Sequence, residues 1–197
     1  MDIALSISHD PNTGVTCALL LGCSDSQVAF ILHQLRILAS LASHPLLLPT
    51  LISTYIRTFL GNYSDDIATR LLRLEMESGQ TGVLSYDEHG LWPLGQRNDY
   101  AALTSEVLGV IQLAVTWENY AKGLLFNIKS IQECISYINL ATPSPRKETV
   151  EAKSAILDER LRFLSHKGNI TLWRLQFVAQ RTQAQMTAVC FSPNPPI

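Results

Sequence analysis

The residues able to do chemistry in this chain are five histidines, His9, His33, His44, His89 and His166, four cysteines, Cys17, Cys23, Cys134 and Cys190, and one acidic tripeptide, Asp87-Glu88-His89. A zinc centre needs closely spaced thiolates or imidazoles, or a His-Glu-x-x-His turn that sets two rings on one helix face, and neither pattern occurs. Asp87-Glu88-His89 offers carboxylates and a ring to a cation, yet a solvated polar loop accounts for the same residues. Gly79-Gln80-Thr81-Gly82 has glycines for a phosphate-cradling backbone but no lysine to meet the phosphate. The hydroxyl residues around His44 contain no nucleophile elbow. The pattern therefore predicts no catalytic, cofactor-binding or metal-ligating residue, and neither an enzyme nor a bound cofactor.

Other conspicuous residues read as structural. Asp65 and Asp66 suit the positive start of a helical segment that resumes after Gly61-Asn62. Trp117 and Trp173, at or beside helical seams, suit packing. Cysteines without a C-x-x-C pair, behind a start that lacks a signal peptide, predict a reduced, cytoplasmic setting, in which the sequons at Asn62 and Asn169 are chance matches.

Charge supplies the one regular functional pattern. The net charge of −2 predicts no nucleic-acid partner. All seventeen acidic residues and ten of the fifteen Lys/Arg precede Arg160, a balance of −7, whereas Arg160, Arg162, Lys167, Arg174 and Arg181 follow with no acid, a balance of +5. Four of these, Arg160, Lys167, Arg174 and Arg181, recur every seven residues and so line one helix face. A solvated face is one reading. A juxtamembrane stripe is the other, because Lys and Arg collect on the cytosolic side of a membrane and no acid stands at i±4 to neutralise these.

The elements that position these residues follow from periodicity. With 197 residues, 47% apolar and 16% charged, the chain can bury a sizeable core. Residues 1–23 predict a β-hairpin: Ile3, Leu5 and Ile7 alternate, "DPNTG" supplies a turn, and Val15, Cys17 and Leu19 alternate again. A lone hairpin is marginal, so it reads as the remnant of a larger N-terminal part. Residues 24–78 predict helices, one capped by Ser24 or Asp25 and running to about Ala42, the next starting at Pro45 and reaching about Glu77 with a break at Gly61-Asn62. Between Arg36 and Arg57 an uncharged stretch approaches membrane-span length, but two prolines, a histidine and six hydroxyl residues interrupt it. Residues 79–98, with Gly79, Gly82, Gly90, Gly95 and Pro93, predict a loop.

Residues 99–190 carry the strongest signal. Leu103, Val107, Val110, Ala114, Trp117, Ala121, Leu124, Ile128, Ile131, Ile135 and Ile138 fill every position of a 3.5-residue repeat, which predicts one long coiled-coil-like helix. A six-residue link through "ATPSPRK" leads to a second, holding Leu157, Leu161, Leu164, Leu175, Val178 and Val189 in register, with Gly168 and Thr171 softening its middle. A short link makes the two antiparallel, with Ile128 and Ile131 buried around Leu161 and Leu164. The fold class predicted is mainly α, an N-terminal β-hairpin followed by a helical bundle with two long antiparallel helices and a disordered Pro-rich tail at 191–197.

The stretches "HPLLLPTLI" at 44–52, "ESGQTGV" at 77–83 and "LSHKGNITLWRLQFVAQRTQAQMTAV" at 164–189 resemble a group of uncharacterised fungal proteins, whose longer members look like CorA-type magnesium transporters at their C-terminal ends. The resemblance implies that the last helix is a cytosolic stalk leading to transmembrane helices that this chain, departing at Cys190, lacks. It also implies no transport by the chain itself, since the Gly-Met-Asn of that family's pore is missing. Two functions follow as expectations: a non-catalytic cytosolic region of a CorA-like membrane protein, with a membrane partner only in longer relatives, or a helical module that self-associates or binds a protein through the 103–138 seam.

Overall fold

The structure, a computed structural model, describes residues 3–77 and 100–190. The predicted loop at 79–98, with Asp87-Glu88-His89 and Gly79–Gly82, and the predicted tail at 191–197 lie outside the described residues. The order is β1 (Ala4–Asp10), β2 (Val15–Leu21), α1 (Asp25–Ile37), a 3-10 turn (Ala39–Leu41), α2 (Leu47–Glu77), α3 (Tyr100–Ala141) and α4 (Ser144–Cys190). The architecture is mainly helical, an antiparallel β-hairpin followed by long helices packed together. By contact the chain divides into two compact units, Met1–Phe59 with Gly123–Asn169, and Leu60–Lys122 with Ile170–Ile197.

In the first unit Asp10 builds the hairpin turn. Its carboxylate accepts from the Asn12 amide at 2.9 Å and the Thr13 hydroxyl at 2.7 Å, and the Gly14 amide donates to the Asp10 carbonyl at 2.8 Å. The Thr13 hydrogen bond, with that of Asn12, holds the Asp10 carboxyl below the usual range. Gly14 has φ +71°, and a Cβ there would also collide with the Arg146 guanidinium. This turn sets Asp10 opposite Val15, and the register then pairs Leu5 with Leu20, both half-buried, and the half-buried Ile7 with the exposed Ala18. Val15, Cys17 and Leu19, read from sequence as the matching apolar alternation, stand instead on the exposed face beside Ser6 and Ser8.

Ser24 closes a capping box with Gln27: the Ser24 amide donates to Gln27 Oε1 at 2.8 Å, and the Gln27 amide donates to Ser24 Oγ at 3.4 Å. The helix it starts ends at Ile37 rather than Ala42, because Leu38 leaves helical geometry at φ −101°, ψ 29°. The next helix starts at Leu47, two residues after Pro45. Its hydroxyls return to the carbonyls one turn back, Thr50 to Leu46 at 2.8 Å, Ser53 to Pro49 at 2.9 Å and Thr54 to Thr50 at 2.8 Å. Thr50 and Ser53 are thereby buried without a stranded donor. Among the described residues no helix is long and apolar enough to cross a membrane.

The predicted break at Gly61-Asn62 is absent, for α2 runs unbroken to Glu77. Asp65 and Asp66 are therefore mid-helix, and Asp66 pairs with Arg70 one turn on. A Cβ built at Gly61 meets nothing within 4 Å. Gly61→Ala should accordingly raise stability by about 1 kcal/mol, the difference in helix propensity, in urea unfolding. A loss of stability would show that the chain does bend there.

Three seams carry the core. On α3, eight of the eleven predicted positions are buried, while Trp117, Ile131 and Ile138 are half-buried. Ile131 is a partial correction: the neighbouring Gln132 takes the side facing α4, donating to Asp158 Oδ1 at 2.9 Å. On α4, Leu157, Leu161, Leu164, Leu175 and Val178 are buried as expected, and Ser154, Gly168, Thr171 and Thr182 complete the same spacing. Gly168 does not soften the helix: a Cβ there would come within 3.0 Å of Leu125 Cδ2, so glycine permits a close approach of α3. Residues 188–190 continue α4, but the side chain of Val189 lies outside the described residues. From Leu46, just before α2, a similar seam runs along α2 through Thr50, Ser53, Leu60, Ser64, Ile67, Leu71 and Leu74. The predicted six-residue link between α3 and α4 shrinks to Thr142 and Pro143. Thr142 bonds back to the Ile138 carbonyl at 2.7 Å, and Pro145 fits the first turn of α4.

Candidate functional site

The polar residues that the fold gathers into the first unit centre on His44. His44 sits in the turn before α2, and α4 brings Ser154 to it across 110 residues of sequence. The Leu46 amide donates to His44 Nδ1 at 3.2 Å, His44 Nε2 lies 3.0 Å from Ser154 Oγ, and Ser154 Oγ donates to Asn139 Oδ1 of α3 at 2.7 Å. Lys153 Nζ donates to Ser43 Oγ at 2.7 Å beside this relay. His44 and Ser154 are both buried. Burial first, then the positive charge of His9 and of Lys153, pushes the His44 ring down from its ordinary 6.5 to about 4. Sequence reading passed over His44 because its partners stand far away in the chain.

A buried histidine 3.0 Å from a serine invites comparison with a nucleophile and its base. The hydrogen bonds oppose it. An amide N–H can only donate, so Nδ1 must be the unprotonated nitrogen and Nε2 carries the proton. The ring thus donates to Ser154 instead of accepting its proton, the reverse of a catalytic serine–histidine pair. The relay instead ties three elements together: the turn before α2, the end of α3 and the start of α4.

The predicted basic stripe, Arg160, Lys167, Arg174 and Arg181, lies in the structure along one edge of the α4 seam, each residue one position before a buried seam residue. Arg146 and Lys153 extend the same seven-residue spacing toward the start of α4. For Arg174 and Arg181 the acids come from α2. In the second unit Arg174 pairs with Asp65, and Arg181 donates to Glu75 Oε2 at 2.7 Å while Gln185 reaches Glu75 Oε1 at 3.4 Å. Glu75 is fully buried. In the first unit Lys167 lies 5.6 Å from the centre of the Phe163 ring, Arg160 is half-buried, and Arg162, off the stripe, pairs with Asp158 at 2.7 Å. Arg174 and Arg181 are therefore bundle contacts, found by spacing but not by partner.

The tryptophans part company. Trp117 is half-buried, stacked on Tyr63 with ring centres 4.3 Å apart. Next to it Glu118 accepts from Lys122 at 2.7 Å and Gln176 at 3.0 Å, and the Lys122 bond in particular lowers its carboxyl. Trp173, expected to pack, is 66% exposed and stacks on Phe177 at 5.8 Å, with Arg181 over the Phe177 ring at 5.9 Å. Ile156, Phe163, Ile170 and Phe177, seven residues apart, are all exposed on α4. Among the described residues no group of three or more His, Cys, Asp or Glu is placed to hold a metal ion.

No protein-family model matches this sequence, and comparison with curated proteins and with solved structures returns no match.

Proposed function

We propose that the chain is a non-catalytic helical module that associates with a second copy of itself through the outer face of α4 in the second unit. The observation that carries this reading is the exposed apolar set Ile170, Trp173 and Phe177. Large aromatic side chains left in water at helical spacing are the usual anchors of a protein interface. The 103–138 seam, the face first expected to self-associate, is largely consumed inside the chain: Ala114, Ala121, Leu124 and Ile128 are buried by the chain's own helices. Light scattering after size exclusion tests the reading. The intact chain should run as an oligomer, and Trp173→Ser with Phe177→Ser should run as a monomer of unchanged helicity. A monomeric intact chain at high concentration would end this proposal.

A second reading, the cytosolic stalk of a CorA-like membrane protein, draws support from the acid-free run after Glu159 on a 47-residue helix. Its charge argument is weakened, since Arg162, Arg174 and Arg181 have carboxylate partners. Expression from the native locus, followed by carbonate extraction, separates the two readings. A carbonate-resistant fraction favours the stalk, and full extraction sinks it.

A further inference from the structure

We propose that His44 is an acid-labile clasp: protonation of its Nδ1 opens the turn between α1 and α2 while α3 and α4 stay folded. The geometry makes the change all-or-none at one atom. Nδ1 accepts the Leu46 amide at 3.2 Å, next to the first residue of α2, so it serves as a helix-start cap supplied by a ring. A proton on Nδ1 turns that acceptor into a donor facing another donor, and the amide loses its partner in a buried place.

Among the described residues, no group that acts on the ring offsets the new charge. The groups that face it are His9 from β1 and Lys153 from α4, both of which oppose a proton, and the neutral Ser154 and Asn139, whose relay from Nε2 is already complete. Opening the turn returns the ring to water, where it regains its ordinary affinity for protons. The sign follows. The folded ring binds a proton more weakly than the opened one, so the clasp is fully closed above about pH 6.5 and weakens as pH falls toward about 4. What the clasp restrains is also defined. Ser43 is tied to Lys153 and His44 to Ser154, so release frees the segment from α1 to the start of α2, whereas Gln132 to Asp158 holds α3 to α4 independently.

The test is amide hydrogen exchange on the full chain at pH 7 and pH 5, corrected for the intrinsic pH dependence of exchange. Opening of residues 38–50 should be about twentyfold greater at pH 5 than at pH 7, from the difference between 6.5 and about 4. Exchange in the middle of α3 and α4 should change little. His44→Gln keeps an acceptor for the Leu46 amide and a donor for Ser154 but does not titrate, and it should abolish the pH dependence. Should that variant not fold, the 15N shifts of the wild-type ring decide: Nδ1 unprotonated at pH 7, titrating only below pH 5. A variant as acid-sensitive as the wild type, exchange rising evenly along all helices, or a ring that titrates near 6.5 would each overturn the proposal.

Discussion

Arg181→Ala should destabilise the protein by about 3 kcal/mol, because it takes a guanidinium away from Glu75, a fully buried carboxylate. Breaking a buried pair by removing one member ordinarily costs 3–5 kcal/mol. Arg181 is 33% exposed, so water partly reaches the vacated guanidinium position and the lower end applies. Gln185 stays at 3.4 Å from Oε1, too long to replace two charged hydrogen bonds. Arg174→Ala is the internal contrast. Its pair with Asp65 is exposed on both sides, 44% and 68%, so its loss should cost under about 1 kcal/mol. Replacing Glu75 and Arg181 together by leucine should recover most of the loss, since the desolvation of the pair offsets much of its attraction. Urea midpoints at neutral pH measure all three. Equal losses for Arg174→Ala and Arg181→Ala would show that burial of Glu75 does not govern the pair.

How much of this could be read in the sequence depends on what fills each seam. The α3 repeat was legible because apolar residues occupy every position from Leu103 to Ile138. The α4 repeat was half legible, because Ser154, Gly168, Thr171 and Thr182 occupy seam positions with side chains that hydropathy counts as polar or absent. The α2 seam was hidden for the same reason at Thr50, Ser53 and Ser64, and Gly61 suggested a break that neighbouring turns override. The basic stripe was visible as a period, yet its meaning depended on acids more than a hundred residues away. Local i±4 reasoning finds Asp158 for Arg162 but has no means of finding Asp65 or Glu75. His44 shows the same limit: a lone histidine before a proline has no local signature, and only the fold brings Ser154 and Asn139 to it. Trp173 failed in the opposite sense, since an aromatic near a seam is ordinarily core and here faces water.

Ile128→Ala and Leu161→Ala should each cost about 2–5 kcal/mol, the range for truncating a large buried aliphatic side chain. Both residues are buried, and the hydrogen bonds that pin α3 to α4 nearby, Gln132 to Asp158 and Ser154 to Asn139, limit how far the helices can collapse into the cavity. The same register sets Ile128 level with the turn from Leu161 to Leu164. Their truncations should therefore share one cavity, with a non-additivity of at least about 0.5 kcal/mol in the double variant. Phe126→Ala, two residues away but 70% exposed, should change stability by less than about 0.5 kcal/mol. Ile131→Ala should fall between the two, as its half-buried position already concedes part of its surface to water. Strict additivity of Ile128→Ala and Leu161→Ala would mean that the two side chains do not meet. A large loss from Phe126→Ala would mean that the face taken here as exposed is covered in solution, which would make it a second candidate surface for self-association.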